Sequence, residues 1–348
     1  MKVAHLAIVS PRQCGLYETA RDMVAAERAI GMDARLVDPV TDKSGKDRGV
    51  PIEKQAWAQG ADVWVSHSGP NKCVSNGHPI IHVLHGRPYS SFLLELDTDD
   101  HCVYTYVMKA VKAETTTAFV TLWPEHVPYW GVFVPEDKLH AAPAPVDLQA
   151  WQSEGLSGYD FHGHRRGTNV IISDMWREDS KPYHSIMAYA IFARNHPEAR
   201  LHIYATPQKQ GDKVDRFLTP LVARDQIGEV KGQIQGLENV YRAADMLITP
   251  HRIATRTVRE ALACGCQVVM GPGNDYTPYT ADPVDIEAFA EAMERAWQAR
   301  HDDPTARRYA NRLSAEQHFD PEKTARVIER LAVEAKAQCQ KSKPAPQT

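Results

Sequence analysis

The sequence predicts an α/β protein built as two successive halves, each a parallel sheet with helices on both faces. Three observations carry the prediction. Residues 228–271, GEVKGQIQGLENVYRAADMLITPHRIATRTVREALACGCQVVMG, alternate through three strands and two helices, a pattern that implies a parallel sheet covered on both sides. The N-terminus opens in the same way, with an apolar strand over 3–9, a helix over 16–30 closed by Gly31, and a second strand over 34–37. Between these halves, Pro143 and Pro145 stiffen the segment 138–151, which reads as a rigid, extended domain boundary.

The bulk properties fit that outline. At 348 residues the chain is long enough for two domains, each able to bury a core. A formal charge of −4 gives no global attraction to nucleic acid or anionic lipid. No apolar run approaches the ~18 residues of a membrane span, and the N-terminus reads as a strand and not as a signal segment. The six cysteines, at 14, 73, 102, 264, 266 and 339, show no zinc-site or disulfide spacing, so free thiols in a cytoplasmic protein are expected.

Taken in order, the first strand leads into a loop, 10–15, that carries a single glycine, Gly15. One glycine is a weak dinucleotide fingerprint; Gly15 serves a tight turn or a ligand approaching the loop. Strands over 62–67 and 79–86 each end in a histidine, His67 and His85. Such a histidine is either a satisfied structural residue or one that faces a ligand. His78, His82 and His85 suggest a metal at first sight, but strand alternation puts His82 and His85 on opposite faces, so no metal site is expected. Helices are expected over 90–96 and 104–112. On the second, Tyr104, Tyr106, Lys109 and Lys112 form a solvated face or, less favoured, an acceptor-facing patch. A strand over 117–122 completes the first half.

The second half begins with a polar loop, 152–168, and a strand over 168–173. At that strand's carboxyl end lies DMWREDSKP, with Arg177 and Lys181. A guanidinium fork and an ammonium suit phosphate oxygens, although two exposed loop charges would look the same. A helix over 183–195, a strand over 200–205 and a helix over 214–223 follow. Next come a strand over 228–231, a helix over 237–244 and a strand over 246–249. Pro250 ends that strand, and a polar loop, 251–257, feeds a helix over 258–263 that Gly265 stops before a strand over 267–270. A loop at the carboxyl end of a parallel strand, running into a helix N-terminus, is an anion site. Glu260 is placed in that helix's first turn, where it reaches a ribose hydroxyl or only complements the helix dipole. Amphipathic helices over 285–298, 304–317 and 321–338 precede a tail, 339–348, expected to be disordered.

The segment VREALACGCQVVMG resembles the glutamate–helix–glycine–strand signature of retaining GT-B glycosyltransferases that use nucleotide sugars, the large group 1 (family 4-like) set. YRAADMLITP resembles the helix and strand that lead into the site of these enzymes. ADVWVSH and PIIHVLHG resemble two consecutive strand ends of their N-terminal domain, and APVDLQAW resembles their interdomain turn, although the usual asparagine and glycine are absent. The resemblance implies two Rossmann-like domains with an interdomain cleft. The acceptor-side domain would be 1–150, the nucleotide-sugar-binding domain 151–320, and the helix 321–338 would pack back on the first.

The resemblance also implies roles. His85 would face the transferred sugar as the catalytic residue. Gly15 would lie near donor and acceptor, and Arg177 and Lys181 would clamp the diphosphate. Arg256 and Thr257 would hold it through backbone amides, and Glu260 would hold the ribose. The implied activity is sugar transfer from a nucleotide-diphosphate sugar to an unidentified acceptor, with retention of configuration and without metal or any cofactor beyond the nucleotide sugar as co-substrate. One departure stands out: eight residues before Glu260, where these enzymes usually carry a second glutamate, this chain has Arg252, in a shortened loop. That leaves two alternatives open, a non-catalytic nucleotide-sugar-binding or helper subunit, and an enzyme whose acceptor is a modified nucleic-acid base.

Overall fold

The computed structural model describes residues 1–8, 15–67, 77–89, 91–92, 103–155, 158–161, 167–173, 182–204, 211–232 and 234–341. They form two compact units, one of Met1–Pro145 with Asp320–Thr348 and one of Val146–Phe319.

Unit 1 contains strands β1 (Lys2–Leu6), β2 (Asp33–Val37), β3 (Gly45–Asp47), β4 (Val50–Glu53), β5 (Val63–Ser66), β6 (Ile80–Leu84), β7 (Thr116–Thr121) and β8 (Leu139–Ala141). Its helices include α1 (Gly15–Ala29), α2 (Gln55–Ala58), α3 (Val103–Val111) and α4 (Val127–Trp130). The sheet order is β3-β4-β2-β1-β5-β6-β7-β8, parallel throughout except for the β3–β4 pair. The central strands β5 and β6 are buried at every position, as strands covered on both faces must be. The C-terminal helix, Pro321–Lys341, packs against α1 and β5. On another side Leu84 and Phe119 of the sheet meet Val107 and Ala110 of α3 and Trp130 of α4.

The β3–β4 hairpin has no counterpart in the sequence reading, because its strands are short and charged. Arg48 (φ 46°) and Gly49 (φ 82°) make the two-residue turn between the paired Asp47 and Val50, and left-handed backbone at both turn positions matches strand twist. The hairpin is tied to α1 by Tyr17, whose hydroxyl donates to Asp47 Oδ2 at 2.6 Å. β8 likewise falls in the segment read as a bare linker. The C-terminal helix continues to Lys341, past the expected end at Gln338, and the expected tail beyond it lies outside the described residues.

Unit 2 contains β9 (Asn169–Ile172), β10 (Arg200–Ile203), β11 (Ile227–Val230), β12 (Met246–Ile248) and β13 (Gln267–Val269). Its helices are α5 (Tyr183–Asn195), α6 (Gly211–Val222), α7 (Leu237–Ala243), α8 (Arg256–Ala263), α9 (Ile286–Asp302) and α10 (Pro304–His318). The order is β11-β10-β9-β12-β13, all parallel. Alternate strand residues feed two cores, as a period of two requires. Val170, Ile172, Met246, Ile248 and Val269 pack with Tyr189 of α5 and Phe289 of α9. Ile171, Leu247 and Val268 pack with Tyr241 of α7 and Leu262 of α8. Asp285 and Asp303 cap α9 and α10, accepting from Ala288 N at 3.0 Å and Ala306 N at 2.8 Å, the role expected of a helix-start aspartate.

Candidate functional site

Each sheet has one place where the strand order reverses. In unit 1 the strands progress from β1 through β2 to β4, and then restart on the other side of β1 with β5, β6 and β7. In unit 2 they progress from β9 through β10 to β11, and restart at β12. The crevice outside the carboxyl ends at such a reversal is where open α/β sheets take ligands. The sequence-selected residues that are described fall at or beside these two places.

In unit 1, His67 directly follows β5, His85 directly follows β6, and His5 lies within β1. They form a line. His5 Nε2 is 2.9 Å from Glu27 Oε2 on α1, His5 Nδ1 is 2.9 Å from His67 Nε2, and His67 Nδ1 is 3.0 Å from His85 Nε2. Glu27, His5 and His67 are fully buried. Burial, followed by the neighbouring His5 and His85, holds the His67 imidazole well below its ordinary value, so it stays neutral. His5 and Glu27 escaped the sequence reading. The signal was present as a histidine inside the apolar run VAHLAI and a glutamate on the buried side of α1.

His82 belongs to a separate polar chain, as alternation requires. Its Nδ1 is 3.1 Å from Tyr106 Oη, its Nε2 is 3.2 Å from Thr116 Oγ1, and Tyr106 Oη is 2.9 Å from Ser66 Oγ. Burial pushes the His82 imidazole down to about 3. Tyr106 is therefore a buried hydrogen-bonding residue of α3, not part of a solvated face or an acceptor patch. Among the described residues no group of three histidines, cysteines or carboxylates is placed to hold a metal ion. Gly15 is the first residue of α1; among the described residues a Cβ added there meets nothing within 4 Å.

In unit 2 the helix starts two residues earlier than expected. Arg256 and Thr257 form the first turn of α8, and Glu260 lies in the second. The amide of Arg259, at the end of that turn, donates to Thr255 O at 3.1 Å. Glu260, 4% exposed at its side chain, forms an i,i+4 ion pair with the Arg256 guanidinium through Nε and Oε1. Thr255 Oγ1 and Thr257 Oγ1 lie 2.9 Å apart at the helix entrance. Gly265, at φ 78°, closes the helix in left-handed backbone that a side chain would strain.

The loop ahead of α8 sits tightly on the end of β13. A Cβ on Gly271 would lie 2.6 Å from Arg252 Cγ and 3.0 Å from His251 O, so only glycine allows the loop this close. Asn274 Nδ2 ties it further, donating to Gly271 O at 2.9 Å and Arg252 O at 3.3 Å. Arg252 Nη2 is 2.6 Å from Asp282 Oδ2, in a half-exposed pair. Ser173, after β9, bonds Tyr241 at 2.9 Å. Arg177 and Lys181 lie outside the described residues.

At the ends of β10 and β11 sits a cluster that the sequence did not reveal. Glu229 accepts from Tyr159, from Tyr204 at 2.8 Å and from Lys231 at 2.9 Å. Burial acts to raise its carboxyl, but the three hydrogen bonds together hold it below the ordinary range. Cys264 and Cys266 are buried free thiols, and burial pushes Cys266 up to about 12, which makes it inert.

No family model matches the chain, and no curated protein matches it by sequence. Solved structures match over nearly its whole length. Sucrose-phosphate synthase from Thermosynechococcus elongatus superposes with a TM-score of 0.73 at 13% identity, covering 97% of this chain and 99% of that one. HepE of Anabaena, solved in complex with UDP and glucose, gives 0.69 at 13% identity, covering 95% and 98%. WaaG, a glycosyltransferase involved in lipopolysaccharide biosynthesis, gives 0.65 at 16% identity, covering 94% and 99%. At such identities the likeness shows the fold, and the fold is GT-B. Among the described residues no helix is long and apolar enough to cross a membrane.

Proposed function

We propose that this chain transfers a sugar from a nucleotide-diphosphate-sugar donor to an acceptor, with retention of configuration and without a metal. The observation that carries the reading is the start of α8 at the reversal of the five-stranded sheet, with a buried glutamate one turn in. First-turn amides of Arg256 and Thr257 would take the diphosphate, where the helix dipole favours negative charge. Glu260 would accept from the ribose hydroxyls. Its pairing with Arg256 fixes the position of the carboxylate. Arg177 and Lys181, on the segment after β9, would add charge-assisted contacts to the same phosphates. As the sugar–phosphate bond breaks, negative charge grows on the leaving diphosphate, and these groups would stabilise it there. His85 would contact the transferred sugar, with Gly15 at the start of α1 beside donor and acceptor. That HepE is solved with UDP and glucose supports the choice of donor class.

The test is a panel of nucleotide sugars scored by thermal stabilisation, in which a binder at a hundred times its Kd adds about 2.7 kcal/mol. The stabilising donor is then followed for turnover in EDTA, and the anomer of the product is read by NMR. No stabilisation by any nucleotide sugar overturns the reading, and loss of turnover in EDTA removes its metal-free part. Arg252, ion-paired with Asp282 where the resembled enzymes carry glutamate, favours one competing reading, a binder or helper subunit. Such a protein would be stabilised by the donor yet neither hydrolyse nor transfer it.

A further inference from the structure

The line Glu27–His5–His67–His85 has a property that none of its members has alone: it has a direction. Each of its three links, at 2.9–3.0 Å, holds one proton between two electronegative atoms. Two lone pairs, or two N–H groups, facing each other at that distance would repel. A neutral imidazole carries one N–H, so it donates on one side and accepts on the other. His67, buried and neutral, can only pass that direction from one neighbour to the next. A carboxylate accepts and does not donate. With Glu27 as the acceptor, His5 carries its proton on Nε2 and presents the Nδ1 lone pair to His67. His67 then carries its own proton on Nε2 and presents Nδ1 to His85. His85 must donate from Nε2 into the line, and its Nδ1 becomes an acceptor.

We propose that Glu27, His5 and His67 are positioning residues that fix the tautomer of His85, so that its Nδ1 accepts a hydrogen bond from a sugar hydroxyl. The tautomer rests on the three distances read with Glu27 as a carboxylate and the three imidazoles neutral; the sugar hydroxyl rests on the glycosyl-transfer reading above. The arrangement is expensive as packing. Glu27 is fully buried, with Oε1 unpartnered among the described residues, and apolar residues of similar volume are usually no less stabilising than buried polar groups. What the polar line supplies, and apolar packing cannot, is a defined proton position at the one member that is not fully buried. A histidine whose orienting carboxylate is lost can adopt the wrong tautomer without changing its position.

Histidine-labelled full-length protein, studied by two-bond nitrogen–proton NMR at about pH 8, above the ordinary imidazole value of ~6.5, reads which nitrogen of each ring is protonated. Rings are assigned by their loss in single histidine-to-glutamine variants. His5, His67 and His85 should all carry the proton on Nε2. A proton on Nδ1 of any of the three overturns the proposal. Glu27→Gln offers a donor as well as an acceptor, so His85 should change to a mixture of tautomers; an unchanged His85 also overturns it. If that variant fails to fold, the wild-type pattern decides alone. Where turnover is measurable, Glu27→Gln should lower kcat about tenfold with donor KM changed less than about twofold, a ~1.4 kcal/mol effect confined to the transition state. If no nucleotide sugar is turned over, the glycosyl-transfer reading fails by itself, and the nitrogen pattern still tests the relay.

Discussion

The carboxyl ends of the two sheets solve one problem with different chemistry. Both units place polar groups where strand order reverses. Unit 1 uses side chains, three imidazoles and a carboxylate in one hydrogen-bonded line. Unit 2 uses peptide N–H groups at the start of α8, backed by a guanidinium–carboxylate pair. The first holds protons whose side of each hydrogen bond can switch. The second keeps its charge, because backbone amides do not titrate there and arginine stays protonated. The lesson is that GT-B topology fixes where a site is built and leaves open whether side chains or backbone build it.

Acid should separate the units by the largest margin. Burial lowers His82 to about 3, and burial with the nearby Arg87 lowers His126 to about 4, with His67 also well depressed. In unfolded chain these imidazoles titrate near ~6.5. Because the folded values are depressed, their contribution is complete above ~6.5 and is lost as pH falls toward the folded values. The slope is roughly 1.4 kcal/mol per pH unit for each histidine. Hydrogen exchange followed at decreasing pH should show unit 1 losing protection first, and His82→Gln should flatten the dependence by about one proton. Simultaneous loss in both units, with a slope indifferent to His82, would break the comparison.

Next in size is Gly271→Ala, aimed at unit 2 alone. The added Cβ meets Arg252 Cγ at 2.6 Å and His251 O at 3.0 Å, so the loop must shift. Forced overpacking of this kind costs about 1–3 kcal/mol. Urea unfolding should record the loss, and the His85 tautomer should not move. Glu260→Gln should weaken donor binding about tenfold, ~1.4 kcal/mol, while thermal stability falls by less. Calorimetry at two pH values should find the same factor at both; a factor that changes with pH would place a titrating group in the unit 2 site. The smallest effect belongs to Arg252→Ala. Its pair with Asp282 is half exposed, and such pairs contribute about 0–1 kcal/mol. A larger loss of stability would show that the pair anchors the loop ahead of α8.

Much of this is legible in the sequence. Alternation of apolar strands and helices gave the parallel sheets, because covered strands are apolar on both faces. Gly265 marked the end of α8, and the histidines after β5 and β6 stood out as polar residues closing apolar runs. The start of α8 is not legible because Arg256 and Thr257 are polar and carry no apolar period, so the periodicity alone places Glu260 one turn too early. The charged β3–β4 hairpin stayed hidden for the same reason. By itself, then, the sequence determined the long apolar strands and helices and the glycines and prolines that close them, since periodicity is a local property. Only the tertiary structure decided who meets whom. Glu27 lies 22 residues from His5, His5 lies 62 from His67, and His67 lies 18 from His85. Their line exists because the sheet order sets β1 beside β5 and β5 beside β6 while α1, packed on β2, brings Glu27 to His5, and no local pattern in the chain encodes that order.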